Sequence, residues 1–157
     1  MSKTLVIGYG NTLRSDDGVG VWIADRIDAL HLPNVDVRTC HQLHLELVSD
    51  LIKYERVILV DAGFSSESIA VRTCYPSPAL PSSTDHNVSP EVLQQLALEL
   101  YDVPIDIHLY TVRGEYFDFG STFSPAVKDR ANYVLEMIAS RIQSPITSPE
   151  QSQFERS

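Results

Sequence analysis

The strongest constraint on the fold is that short apolar runs alternate along the chain with longer segments of helical periodicity. Residues 5–7 (Leu-Val-Ile) and 57–60 (Val-Ile-Leu-Val) are continuous apolar runs, which are typical of strands buried on both faces of a sheet. Further strands are predicted at 35–40, 69–75 and 105–111, and helices at 19–30, 43–52, 90–100 and 125–142. Strands that alternate with helices predict an α/β fold, a three-layer α/β/α sandwich with a mostly parallel central sheet.

The length of 157 residues is sufficient for one domain of ordinary size. We predict a single α/β domain over residues 1–142. The segment 143–157 contains four Ser, three Gln and two Pro but few large apolar residues, so we predict a flexible C-terminal tail. The segment 76–88, rich in Pro and Ser, is predicted to be a loop.

The charge balance excludes several classes of partner. Lys and Arg number 12 and Asp and Glu 21, which gives a net charge of −9, so we expect no nucleic acid and no anionic membrane surface as a partner. The two cysteines, Cys40 and Cys74, have no CxxC spacing, as is usual in a reducing compartment. No apolar stretch approaches the roughly 20 residues of a membrane helix, and we expect a cytoplasmic protein.

The segment between the first strand and the first helix carries the densest signal, Gly-Tyr-Gly-Asn-Thr-Leu-Arg-Ser-Asp-Asp-Gly-Val-Gly over residues 8–20. Ligands of open α/β sheets bind at this edge, where the strands end. A nucleotide-binding domain is one interpretation, but Leu13 occupies the position of the third glycine of the dinucleotide motif. The adjacent acids Asp16 and Asp17 would also repel a phosphate. We therefore expect no organic cofactor.

Three side chains on separate segments form a candidate metal site. Asp17 precedes the first helix, Asp61 follows an apolar strand and His86 lies in the predicted loop. Two carboxylates and an imidazole suit a divalent ion such as zinc or nickel. Each residue also has a structural interpretation: a helix-capping acid, a turn residue and a solvated histidine, respectively.

These segments resemble the hydrogenase maturation proteases. The resemblance rests on residues 5–20, on Val57–Ala62 and on the loop histidine before a Leu-rich helix, and it extends from about residue 4 to residue 142. It implies an endopeptidase that recognises nickel already installed in the NiFe-hydrogenase large-subunit precursor and removes a C-terminal extension.

The resemblance also implies the roles of individual residues. Asp17, Asp61 and His86 would bind the nickel, which the substrate carries, and Asp17 and Asp61 would be catalytic. Substrate-binding or loop-shaping residues would be Gly10, Asn11, Asp16, His41 and Gln42. The turn at 41–43 (His-Gln-Leu) is most similar to that of enzymes serving bidirectional, NAD-linked hydrogenases.

Two mechanisms are open at this point. The ion polarises the scissile carbonyl or lowers the pKa of a bound water, or an aspartate activates water as a general base. Two other functions also remain as alternatives: a non-catalytic metal-sensing or chaperone module with the same three ligands, and a nucleotide-binding α/β domain.

Overall fold

The computed structural model describes residues 3–78 and 88–144. In these ranges the chain forms five strands and four helices. In chain order they are β1 (Thr4–Tyr9), α1 (Val19–Ala29), β2 (Val35–Cys40), α2 (Val48–Leu51), β3 (Arg56–Gly63), β4 (Ile69–Cys74), α3 (Pro90–Tyr101), β5 (Asp106–Arg113) and α4 (Pro125–Gln143). Single 3₁₀ turns at Ser15–Gly18 and Leu45–Leu47 precede α1 and α2.

The strands form one sheet in the order β2-β1-β3-β5-β4. The first four of these strands are parallel, and β4 runs antiparallel to β5 at the edge. The connection from β3 to β4 is too short to bring the chain back to the amino ends of the strands, where a parallel strand would have to start. Strand β4 therefore starts near the carboxyl end of β3 and runs antiparallel. The predicted α/β class with a mostly parallel central sheet is confirmed.

Helices cover both faces of the sheet, because the strands place alternate apolar residues on opposite sides. On one face, Leu5 and Ile7 of β1 pack with Leu51 and with Leu93 of α3. On the other face, Val6 packs in a second core with residues of α1 and α4, including Ile23, Ile27, Val134 and Ile138. The three-layer arrangement follows from these two separate cores.

The predicted helix at 43–52 is wrong in extent. A 3₁₀ turn at Leu45–Leu47 is followed by the four residues of α2, and the backbone of His44 is extended. The residues whose spacing predicted a helix are nevertheless buried: Leu43, Leu47, Val48 and Leu51. Leu43 precedes the two short turns, and the other three lie within them.

The last helix ends one residue later than predicted. Helix α4 continues to Gln143, and the buried Arg56 donates from Nη2 to the carbonyl oxygen of Ile142 at 3.2 Å. Beyond Ser144, the predicted tail lies outside the described residues. None of the described helices is long and apolar enough to cross a membrane.

Helix α1 starts unusually close to the end of β3. A Cβ atom on Gly20 would lie 2.3 Å from the carbonyl oxygen of Val60, so only glycine permits this approach. The contact brings the turn at Ser15–Gly18, which carries two aspartates, beside the last residues of β3.

Candidate active site at the carboxyl edge of the sheet

A polar row crosses the sheet at the carboxyl ends of its three central strands. Asp61 is the register partner of Thr111, and the pairing of Gly8 with Val60 places Tyr9 beside Asp61. By strand alternation, all three side chains share the face of Leu5 and Ile7. The row therefore follows directly after the apolar core of that face.

Asp61 is held by hydrogen bonds from both neighbouring strands. The hydroxyl of Tyr9 donates to Oδ2 and the hydroxyl of Thr111 donates to Oδ1, each at 3.0 Å. Asp61 lies inside β3, two residues before its end, so its interpretation as a turn residue is wrong. Both oxygens of the carboxylate are engaged by the sheet itself.

Burial raises the pKa of Asp61 to about 6. The hydrogen bonds from Thr111 and Tyr9 lower this pKa, whereas the nearby charge of Asp17 raises it. Burial, followed by the charge of Asp61, also raises the pKa of Tyr9 well above its usual value. The phenol thus stays protonated and acts as a donor, and Asp61 titrates close to neutral pH.

Asp17 reaches this edge from the turn before α1. The backbone N–H of Asn11 donates to Asp17 Oδ2 at 2.8 Å, and the side-chain oxygen of Asn11 accepts from the N–H of Leu13 at 2.9 Å. Gly10 has a φ of 145°, and a Cβ there would lie 2.1 Å from the carbonyl oxygen of Asp17. Glycine at position 10 is therefore required for the loop to fold back against Asp17.

The neighbouring Asp16 has a different environment. Its side chain is fully buried and accepts hydrogen bonds of 2.8 Å from the N–H groups of Glu115, Tyr116 and Ser124 and from the Ser124 hydroxyl. Burial raises its pKa, but these hydrogen bonds outweigh that effect and lower it below the usual value. Asp16 thus anchors the segment 114–124 that follows β5.

Asp16 and Asp17 lie in the 3₁₀ turn that leads directly into α1, as acids that offset a helix dipole would, but neither caps α1 through its side chain. The N-cap residue of α1 is Gly18, and no side chain makes a capping hydrogen bond there. Further contacts tie the same two loops together: the N–H of Gly120 donates to Leu13 O and the N–H of Ser15 donates to Gly120 O, both at 2.8 Å. The two loops form one structural unit beside Asp61.

Large apolar side chains are exposed on this unit and at the end of β3. Phe119 is 84% exposed, Phe64 is 83% exposed and Leu13 is 58% exposed. Phe64 lies beside the ring of Phe117 with centroids 4.7 Å apart. We call Leu13, Phe64 and Phe119 the apolar rim.

The remaining predicted site residues are distributed as follows. His41 lines a shallow groove of about 300 Å³ together with residues of the loop at 10–13 and with Thr39 and Cys40. Gln42 is exposed. The predicted His86 lies outside the described residues. Within residues 3–78 and 88–144, no group of three or more His, Cys, Asp or Glu side chains is placed to hold a metal ion.

Tyr9 and Thr111 are the site residues that sequence reasoning missed. Tyr9 stands between Gly8 and Gly10, and the glycine pattern gives no reason to single it out. Thr111 is the last residue of the predicted strand at 105–111, and nothing in the sequence marks it as a site residue. The period of two that runs from Leu5 through Ile7 to Tyr9 could have shown that the phenol lies on the core face of the sheet. The same period in β3 places Asp61 on that face.

Comparison with solved structures identifies the fold. The chain is similar to the NiFe hydrogenase maturation protease HycI from Thermococcus kodakarensis, with a TM-score of 0.71, 24% identity and coverage of 91% of this chain and 94% of that one. It is similar to the hydrogenase 2 maturation peptidase from a Thaumarchaeota archaeon, with a TM-score of 0.66, 21% identity and coverage of 90% and 99%. The hydrogenase maturating endopeptidase HybD from Escherichia coli matches with a TM-score of 0.71, 19% identity and coverage of 90% and 92%.

The chain therefore has the fold of hydrogenase maturation endopeptidases over nearly its whole length. The resemblance noted in the sequence is confirmed at the level of the fold. No protein-family model and no curated protein matches the sequence.

Proposed function

We propose that the protein is an endopeptidase that removes a C-terminal extension from the NiFe-hydrogenase large-subunit precursor after nickel has been inserted. The observation that carries this proposal is the buried, hydrogen-bonded Asp61 at the carboxyl edge of a sheet with this fold, with Asp17 close enough for its charge to act on it. The same proposal implies that the protein works in the cytoplasm, with the precursor.

The donor set suits nickel that arrives as part of the substrate. Carboxylate oxygens and an imidazole nitrogen are accepted ligands of such an ion, and Asp17 and Asp61 supply two carboxylates from different elements. We assign the third position to His86, as the resemblance implies. Bound in this way, the nickel would place the substrate against Asp61 and supply positive charge at the scissile carbonyl.

Asp61 is the better candidate for activating water. Before nickel is bound, its pKa of about 6 leaves it ionised at neutral pH yet more basic than an exposed aspartate, which suits a general base. Asp17 then binds the substrate without transferring a proton.

The apolar rim supports a polypeptide substrate. Scattered apolar side chains are common on protein surfaces, but three large ones on the joined loops and just after the strand of Asp61 suit a protein partner better than a small molecule. This observation favours a protease over a nucleotide-binding domain.

The test is an incubation with nickel-loaded and nickel-free large-subunit precursor, followed by intact-mass spectrometry. The wild-type protein should shorten the loaded precursor and leave the nickel-free one intact. Asp17→Asn, Asp61→Asn and His86→Ala should stay folded and lose cleavage, whereas Asp25→Asn, on the exposed face of α1, should cleave normally.

Three outcomes would contradict the proposal. Normal cleavage by two of the three site variants would remove the metal site. Binding of the loaded precursor without any shortening would instead indicate a non-catalytic metal-sensing module. A thermal-shift response to nucleotides, with no response to the precursor, would indicate the nucleotide-binding alternative.

A further inference from the structure

Two hydroxyl groups hold the carboxylate of Asp61 from opposite sides. Tyr9 on β1 donates to Oδ2 and Thr111 on β5 donates to Oδ1, each at 3.0 Å. These strands flank β3 in the middle of the sheet. The donors therefore sit on strands in the middle of the sheet rather than on loops.

Each donor is itself fixed by packing. The Tyr9 ring packs against the buried core that contains Leu5 and Ile7. The methyl group of Thr111 lies against Gly63, where an added Cβ would be 2.5 Å from Cγ2. Because the Thr side chain is branched at Cβ, fixing its methyl group also fixes its hydroxyl.

This arrangement holds the Asp61 carboxylate in one orientation and leaves lone pairs on its oxygens for further ligands. Each carboxylate oxygen has two lone pairs, and each accepts one hydrogen bond from these hydroxyls. Rotation of the carboxylate plane would break both bonds together. With the donors of the described residues counted, one lone pair on each oxygen remains for a metal ion or a water molecule.

We propose that Tyr9 and Thr111 are positioning residues that set the plane of the Asp61 carboxylate for its reaction with the substrate. This inference rests on the proposed function for the catalytic role of Asp61. Neither residue touches the substrate in this proposal; both act through Asp61.

The test compares Tyr9→Phe and Thr111→Val, which remove the hydroxyls with little change in shape, with Thr111→Ser, which keeps one. We expect kcat for cleavage of the nickel-loaded precursor to fall about tenfold in each of the first two variants and about a hundredfold in the double variant. KM should change less than kcat, because the contacts that the precursor makes outside Asp61 are retained. Thr111→Ser should stay within about threefold of wild type.

A matched control comes from the other end of the sheet. The hydroxyl of Tyr54 donates to Asp36 Oδ2 at 2.6 Å, so Tyr54→Phe removes the same kind of bond away from Asp61. This variant should leave kcat unchanged. Wild-type kcat in Tyr9→Phe and Thr111→Val, or an equal loss in Thr111→Ser and Thr111→Val, would overturn the proposal.

Crystal structures of the variants give a readout that does not depend on cleavage. The Asp61 carboxylate should have one orientation in the wild type and in Thr111→Ser. In the double variant it should be rotated or occupy two alternative conformers. An unchanged carboxylate in the double variant would overturn positioning even if the protein is a protease. Failure of the wild type to cleave would overturn the proposed function while leaving this structural comparison to decide the role of the two hydroxyls.

Discussion

Asp16 and Asp17 are adjacent in the sequence, yet among the described residues their carboxylates share no hydrogen-bond partner. Asp16 is fully buried and accepts from Glu115, Tyr116 and Ser124. Asp17 accepts from the N–H of Asn11 within its own loop. Asp16 therefore anchors the loop at 114–124, whereas Asp17 is the one of the two that we assign to the candidate site.

This division predicts losses of stability of unequal size for the same substitution at the two positions. Asp16→Asn replaces one acceptor oxygen with an NH₂ group that faces N–H donors, so we expect it to lower the free energy of unfolding by about 3 kcal/mol. Asp17→Asn keeps an acceptor for Asn11 and should cost less than about 1 kcal/mol. Urea denaturation followed by circular dichroism measures both, and equal losses would contradict the assignment.

The raised pKa of Asp61 predicts a stability cost that depends on pH. Because its folded pKa of about 6 exceeds the ordinary 3.8, the folded state binds this proton more tightly, and stability falls as pH rises from about 4 to about 6. Asp61→Asn cannot titrate and should gain up to about 3 kcal/mol over wild type at pH 8. Denaturation at pH 4 and pH 8 tests this, with Asp25→Asn as control; a gain that is the same at both pH values would refute the cause.

Asn11 carries a prediction about its side-chain amide. Its side-chain oxygen accepts from Leu13, and Asp can do the same, so Asn11→Asp should leave the loop folded. The substitution removes the NH₂ donor, and if that amide donates to the substrate, precursor cleavage should slow about tenfold. Single-turnover cleavage of the precursor measures this, and an unchanged rate would leave Asn11 as a turn residue.

The apolar rim predicts a binding defect without a chemical one. Phe119→Ser should raise KM for the precursor about tenfold and leave kcat unchanged, since burial of one aromatic side chain contributes about 1.5 kcal/mol or more. Leu100→Ser is the control, because Leu100 is 67% exposed near the end of α3, whereas the site follows the carboxyl ends of the strands. A fall in kcat alone would place Phe119 in the catalytic step.

Much of the fold could be predicted because its signals are local. The apolar runs at 57–60 and the helical spacing in α1 each report burial directly, so strands and long helices were found. The region at 43–52 was not, because a 3₁₀ turn followed by α2 buries leucines at the same spacing as a continuous helix. The direction of β4 depends on the length of the connection from β3 rather than on its own residues.

The site was harder to predict because its contacts join distant segments. No local pattern distinguishes Asp16 from Asp17, since the donors to Asp16 lie about 100 residues further along the chain. Tyr9 and Asp61 are 52 residues apart, and only the register between β1 and β3 makes them neighbours. His86, which the sequence places in a loop, stays a prediction.

The polar row depends on the number of residues that separate its side chains from the core positions of their strands. Tyr9, Asp61 and Thr111 share a face only because each lies an even number of residues beyond the apolar positions that lock its strand into the core. Inserting or deleting a single residue between Leu59 and Asp61 would turn the acid toward α1 and away from both hydroxyls, while leaving the composition of β3 almost unchanged. An exchange among Val, Ile and Leu keeps this parity, whereas a change in strand length keeps it only in steps of two residues.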